Sequence, residues 1–98
     1  MSVSTIGLFP NMQKDKVRDC LPDILALLQK YGLKTLLPED MKDFKAAGYY
    51  SKEAESLAQM DAGISLGGDG TFLQMARHLS PLKIPVFGVN LAFWQKPK

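Results

Sequence analysis

The sequence has few of the features that mark secreted, membrane or nucleic-acid-binding proteins. Its single cysteine, Cys20, cannot form a disulfide within the chain, so a reducing, cytoplasmic setting is expected. No apolar run approaches the roughly 20 residues of a membrane span, and no charged-then-apolar leader opens the chain. Twelve basic and ten acidic residues are interleaved and leave a net charge of +2. The sequence therefore lacks the basic stripe that would predict a nucleic-acid partner.

The 98 residues, 46% of them apolar and 22% charged, have the size and composition of one small globular domain. Apolar patterning predicts strands over residues 4–10, 33–37, 62–66 and 84–90. It predicts helices over residues 17–31, 52–60 and 71–79, with a kink or restart at Pro22 and a stop at Gly32. Residues 40–50 read as a loop or a broken helix. This alternation predicts an α/β fold, a small three-layer α/β/α domain with about four parallel strands.

One turn carries a chemical signal. Residues 67–71, with the sequence GGDGT, lie where the third predicted strand gives way to a helix, and ligands of parallel sheets bind at that edge. Glycines let the backbone turn sharply and let a ligand approach the main chain. Unpaired amides at the start of the next helix favour anions. A phosphate site is therefore one interpretation of this turn.

The aspartate of the turn, Asp69, leaves alternatives open. Its charge repels phosphate unless it holds Mg²⁺ or accepts the proton of a hydroxyl that attacks phosphorus. It could equally cap the helix without any site, with Thr71 in the first turn. The pattern is neither the dinucleotide-binding G-x-G-x-x-G nor a P-loop, because no Gly-Lys-Ser/Thr follows.

Two segments together resemble the NAD kinase (ATP-NAD kinase) family. The GGDGT turn, followed by Phe72 and Arg77, looks like the signature of that family, although lipid kinases and phosphofructokinases have related turns. Residues 84–91, with the sequence IPVFGVNL, resemble the strand ending in Gly-Val-Asn that follows the turn in NAD kinases. Lipid kinases carry a different pattern there. The first strand through Asn11, followed by Lys14 and Lys16, is also compatible with the family.

The resemblance implies an activity and a set of site residues. NAD kinases transfer phosphate from ATP (or polyphosphate) to the ribose 2′-hydroxyl of NAD, with Mg²⁺, and make NADP. Asp69 matches the family's catalytic base. The residues that match the lining of the nucleotide and phosphate pocket are Gly67, Gly68, Gly70, Thr71 and Asn90. No protein ligand for a resident metal is expected.

The chain departs from the family pattern after Leu91. Where the family continues Leu-Gly-x-Leu-Gly-Phe-Leu, residues 91–98 read LAFWQKPK, as in a truncated or frame-shifted chain. We therefore expect residues 1–91 to form an NAD-kinase-like N-terminal domain and residues 92–98 an atypical tail. Without the family's second domain, turnover is expected to be weak or absent. The alternative is a non-catalytic module that binds nucleotide or self-associates, and we expect a homo-oligomer that covers the open apolar surface.

Five other side chains each have a structural interpretation, and the first four also have a functional alternative. His78 and Arg77 are expected on a solvated helix face, with a substrate or phosphate contact as the alternative. Tyr49 and Tyr50 are expected to pack against the core, with stacking on a base as the alternative. Cys20 is expected to be an ordinary packing residue, because no activating neighbour is in view.

Overall fold

A computed structural model describes residues 3–91 of the chain, so the predicted tail at residues 92–98 lies outside the described residues. The strands are β1 (Thr5–Pro10), β2 (Lys34–Pro38), β3 (Gly48–Tyr50), β4 (Ala62–Leu66) and β5 (Val86–Val89). The helices are α1 (Asp15–Lys30), α2 (Ala54–Leu57) and α3 (Asp69–Leu79). Short 3₁₀ turns at Glu39–Met41 and Ser80–Leu82 follow β2 and α3.

The five strands form one parallel sheet in the order β3-β2-β1-β4-β5. The chain moves outward from β1 through β2 to β3, and then returns to place β4 on the other side of β1. The register pairs Ile6 with Thr35 of β2 and with Ala62 of β4. The strand order therefore reverses between β1 and β4, which is the position where open α/β sheets form a crevice for ligands.

Side chains that alternate along the strands fill a core on each face of the sheet. Leu8 and Leu37 pack with α1 residues on one face, where Val17, Cys20 and Leu21 are fully buried. Leu36 packs on the other face in a cluster whose α2 and α3 members include Leu57, Met75 and Leu79. The predicted three-layer α/β/α fold is confirmed.

The region between β2 and α2 corrects the sequence prediction. Residues 40–50 were expected to be a loop or a broken helix, but Gly48–Tyr50 forms a fifth strand that pairs with β2, Leu36 opposite Gly48. A three-residue strand is too short to show an alternating pattern, which explains the prediction of about four strands. The next helix is also shorter than predicted, because its N-cap is Glu53 while Ser51 forms a turn before it, its Oγ accepting from the Glu53 amide at 3.3 Å.

Helix α1 shows which sequence signals determine its ends. It runs unbroken through Pro22, so the predicted restart does not occur. Gly32 follows its end at a φ of +75°, and the amides of Gly32 and Leu33 donate to Gln29 and Leu28 carbonyls at 3.0 Å each. That left-handed glycine is the predicted helix stop.

Candidate functional site

The glycine turn after β4 lies against the loop that follows β1. The Asn11 amide donates to the Leu66 carbonyl at 2.8 Å, which joins the ends of these two neighbouring strands. The Asn11 side chain is itself held, because its Oδ1 accepts from the Gln13 amide at 3.1 Å. Two helices, α1 and α3, begin immediately after these loops and pack on opposite faces of the sheet. The turn is therefore fixed at the point where the strand order reverses.

Gly67 meets a conformational and a steric requirement at once. Its φ of +150° is a conformation that side chains rarely adopt. A Cβ at this position would also lie 3.0 Å from Asn11 Cβ and 3.0 Å from Thr71 Oγ1. The backbone here is thus closed on the protein side by Asn11 and Thr71, and substitution by any other residue would be strained.

Asp69 is the first residue of α3, and its side chain is exposed. The N-cap is Gly68, and no side chain forms a capping hydrogen bond there. Asp69 is therefore not the N-cap of α3, and its side chain makes no capping hydrogen bond. Its carboxylate thus lies in solvent beside the first amides of α3, which have no partner within the helix.

A cleft extends along the carboxyl ends of β1, β2 and β3, next to the start of α3. It consists of two adjoining cavities of about 860 and 880 Å³. Both are lined by Pro10, Pro38, Asp40, Lys52, Thr71 and Gln74. Gly70 lines one of them and Thr71 lines both. We call this groove the carboxyl-edge cleft, and each of its two cavities falls within the size range of small-molecule sites.

Asn90 lies apart from the cleft. It is exposed and follows β5, whose Val89 pairs with Leu66, so Asn90 and the glycine turn share one edge of the sheet. The structure thus brings residues 67–71 together as one turn, opens Gly70 and Thr71 to the cleft, and places Asn90 on the neighbouring strand end.

Arg77 and His78 take part in the cleft although both are exposed, as predicted. Both lie near the C-terminal end of α3 and line one of the two cavities. Tyr50 forms part of the same wall and is only 5% exposed. Its hydroxyl donates to the Leu8 carbonyl at 2.6 Å, and its ring centroid lies 4.8 Å from that of Phe9. Tyr50 is thus a packing residue, as expected, and Tyr49 likewise donates to the Phe44 carbonyl.

The titration of two buried groups reflects their surroundings. Burial, and secondarily the charge of Asp40, raises the pKa of Tyr50, so the phenol stays protonated and keeps its hydrogen bond. Burial is also the main cause that raises the pKa of Cys20. A buried thiol with a raised pKa is a poor nucleophile, which fits the predicted packing role.

Sequence reasoning did not assign a role to Lys14 in the site. Its Nζ lies 3.0 Å from the position that a Cβ on Gly68 would occupy. The sequence gives only a weak signal for this proximity, because Lys14 comes near the glycine turn only when β1 and β4 are neighbouring strands. Within residues 3–91, no group of three or more His, Cys, Asp or Glu side chains could hold a metal ion. None of the helices in that range has the length and apolar character to cross a bilayer.

Comparison with known proteins identifies the family. The sequence pattern of the ATP-NAD kinase N-terminal domain matches residues 6–93. The chain is similar to the NAD kinase of Natranaerobius thermophilus, with 36% identity over 90 residues, 89% of this chain and 31% of that protein. It is also similar to the NAD kinases of Moorella thermoacetica and Burkholderia pseudomallei, at 32% and 33% identity over 88 residues each, 88% of this chain and 28% and 29% of those proteins.

The chain spans about a third of the length of the curated relatives it matches. No solved structure matches it. The family match nevertheless covers nearly all of the described residues, including the glycine turn, β5 and Asn90. On this match, the chain belongs to the ATP-NAD kinase family and corresponds to its N-terminal domain.

Proposed function

We propose that the chain binds nucleotide phosphates at the glycine turn and supplies the catalytic base of an NAD kinase, Asp69. The observation that carries this proposal is the exposed carboxylate at the first position of α3, free of any capping role. The reaction is the transfer of the γ-phosphoryl group of ATP, or of a phosphoryl group of polyphosphate, to NAD. Residues 1–91 form the domain responsible, and the cytoplasm is its proposed location.

Proton and bond changes at the site balance without a further reactant. The 2′-oxygen of the adenosine ribose of NAD forms a bond to phosphorus, and the bond from that phosphorus to the β-phosphate oxygen breaks. ADP leaves with those electrons, and the hydroxyl proton passes to the Asp69 carboxylate. Positioning supplies most of the rate in such transfers, so an exposed, ordinary carboxylate is sufficient.

The phosphate-binding part consists mainly of backbone. Gly67, Gly68 and Gly70 leave the amides around the start of α3 accessible, because no Cβ covers them, and these amides attract anions. Thr71, at the border of both cavities, offers a hydroxyl in the first helical turn. Asn90 approaches the same edge from β5 and is the proposed contact to the nucleotide.

Mg²⁺ fits this site only as a companion of the phosphates. The described residues contain no group of three metal-ligating side chains, and Mg²⁺ typically keeps its waters and binds one or two carboxylates plus substrate phosphates. Asp69 is the one carboxylate within the glycine turn and would be the protein ligand of the ion if one is used. When bound, the ion neutralises charge on the transferred phosphoryl group.

The test of this proposal is NADP formation by the purified 98-residue chain with NAD, ATP and Mg²⁺, compared with Asp69→Asn. We expect slow formation by the parent and a loss of at least about 100-fold in the variant, the usual range for a missing general base. Asp19→Asn, an exposed aspartate on α1, is the matched control and retains the parent rate. NADP formation that Asp69→Asn leaves unchanged would refute the assignment of the base.

A second candidate function is a non-catalytic, self-associating nucleotide-binding module. Two exposed apolar side chains on β5 favour it, Phe87 at 57% and Val89 at 37% exposure. On the opposite side of that strand, a Cβ on Gly88 would lie 3.0 Å from Phe72 of α3, so Phe87 and Val89 project to the face that carries α1. We propose that a second copy of the chain covers this patch. The absence of NADP from both the parent and Asp69→Asn would favour this function.

A further inference from the structure

The Lys14 ammonium lies beside the glycine turn, next to Gly68. Lys14 is the N-cap of α1, with an extended backbone, and its Nζ lies 3.0 Å from where a Cβ on Gly68 would be. Gly68 has a φ of −102°, a conformation open to any residue. A methyl group at this position would therefore contact only the Lys14 ammonium, the end of a flexible and exposed side chain.

The Lys14 ammonium forms no ion pair within the described residues. Lys14 directly precedes α1 and reaches the N-cap of α3, so it approaches the positive ends of two helix dipoles, where a cation is unfavourable. In the described part of the chain no carboxylate pairs with it, since the ion pair at the start of α1 joins Asp15 to Arg18. A site of concentrated positive charge beside a turn of free amides is suited to an anion.

We propose that Lys14 binds the phosphate chain of a nucleoside triphosphate and thereby joins the β1–α1 loop to the glycine turn in one phosphate subsite. This inference rests on the proposed function and names a further binding residue for it. A lysine acts on phosphate as a mobile point charge. It also removes the difficulty that the sequence raises, because Lys14 offsets the repulsion between phosphate and the Asp69 carboxylate on the same turn.

Titration calorimetry of the 98-residue chain with inorganic triphosphate and with Mg²⁺-ATP tests the role of Lys14. We expect Lys14→Ala to weaken the binding of both ligands about tenfold or more, the effect of losing one charge-assisted contact. Lys30→Ala removes an exposed lysine at the far end of the same helix and is the matched control, with binding equal to that of the parent.

A second variant separates the position of the ammonium from its charge. Gly68→Ala brings a methyl group to about 3.0 Å from the Lys14 ammonium, and any loss of triphosphate binding that it causes in the parent should be largely absent in the Lys14→Ala background. Equal binding by the parent and Lys14→Ala would overturn the role of Lys14 and leave the proposed function intact. A parent that binds neither triphosphate nor Mg²⁺-ATP would overturn both.

Discussion

At the scale of single residues, the glycines of β4 and α3 have different roles. A Cβ on Gly63 would overlap Leu79 Cδ1 and lie 3.1 Å from Met75 Sδ. The absence of a side chain at Gly63 therefore lets α3 pack closely against the sheet. A Cβ on Gly70 would meet no atom within 4 Å. The first glycine is therefore needed for the packing of the fold, whereas the second is not required by any contact within the described residues.

This difference predicts opposite effects of two alanine substitutions on stability. Gly63→Ala forces Leu79 and Met75 apart and should lower the free energy of unfolding by about 1–3 kcal/mol, the usual cost of overpacking. Gly70→Ala places a better helix former in the first turn of α3 and should raise it by about 0.5–1 kcal/mol. Urea unfolding followed by circular dichroism measures both values. A loss of stability in Gly70→Ala similar to that in Gly63→Ala would contradict this account of the two glycines.

The sequence allows Asp69 to be located but not Lys14. Asp69 lies within a contiguous motif, so its place at the start of a helix follows from local pattern alone. Lys14 comes close to Gly68 only because β4 is inserted beside β1, and no local pattern encodes that neighbourhood. The assignment of Asp69 as base and of the five pocket residues stays a prediction until it is measured.

At the scale of elements, the sequence predicts where helix α1 ends better than it predicts which of its apolar side chains are buried. The end of α1 at Gly32 follows from the sequence, but two apolar residues of the predicted helix over residues 17–31, Leu27 and Tyr31, are 52% and 71% exposed. Tyr31 is the C-cap, just beyond the last residue of the helix. The spacing of apolar residues predicts which face of a helix packs against the sheet. How much of that face is covered depends on the other elements.

One carboxylate, that of Asp61, joins the beginnings of β1 and β4. It predicts that the stability of the fold depends on pH. Asp61 accepts hydrogen bonds from the Ser4 amide at 3.0 Å, the Ser4 hydroxyl at 3.0 Å and the Thr5 amide at 2.9 Å. These bonds lower the pKa of Asp61 in the folded chain. Its contribution to stability is thus complete above the unfolded value of about 3.9 and is lost as the pH falls through the lower folded pKa.

Urea unfolding between about pH 6 and about pH 2 measures this contribution. Asp61→Asn should be less stable than the parent near neutrality, and the difference should shrink on acidification, since the parent loses its carboxylate there. Asp19→Asn, which removes an exposed aspartate of α1, controls for the general effect of one negative charge. A difference between parent and Asp61→Asn that is constant with pH would show that the charge of Asp61 is unimportant.

At the scale of the whole molecule, the parallel sheet follows from the sequence but its strand order does not. Alternating strands and helices require parallel pairing, and the match at residues 84–91 indicated the last strand. The crossing that places β4 beside β1 depends on which helix covers which face, a matter of packing among distant residues. The carboxyl-edge cleft results from that crossing, so it could not be outlined from motifs alone.

The uncovered patch on β5 predicts self-association. Burial of Phe87 and Val89 against a second copy removes apolar surface from water, so light scattering should give a mass above 10.8 kDa that rises with concentration. Phe87→Ser should shift the protein toward the monomer without loss of helical signal, because Phe87 is more than half exposed. A monomeric parent at high concentration would contradict the proposed homo-oligomer.

The central claim is that the glycine turn is the nucleotide-phosphate site, and amide chemical shifts test it most directly. Titration of the ¹⁵N-labelled chain with Mg²⁺-ATP, and separately with NAD, reports every amide of the turn at once. The account predicts the largest shifts at residues 67–71, with smaller ones along the carboxyl-edge cleft. Binding that shifts other amides and leaves residues 67–71 unchanged, or no binding at all, would contradict it.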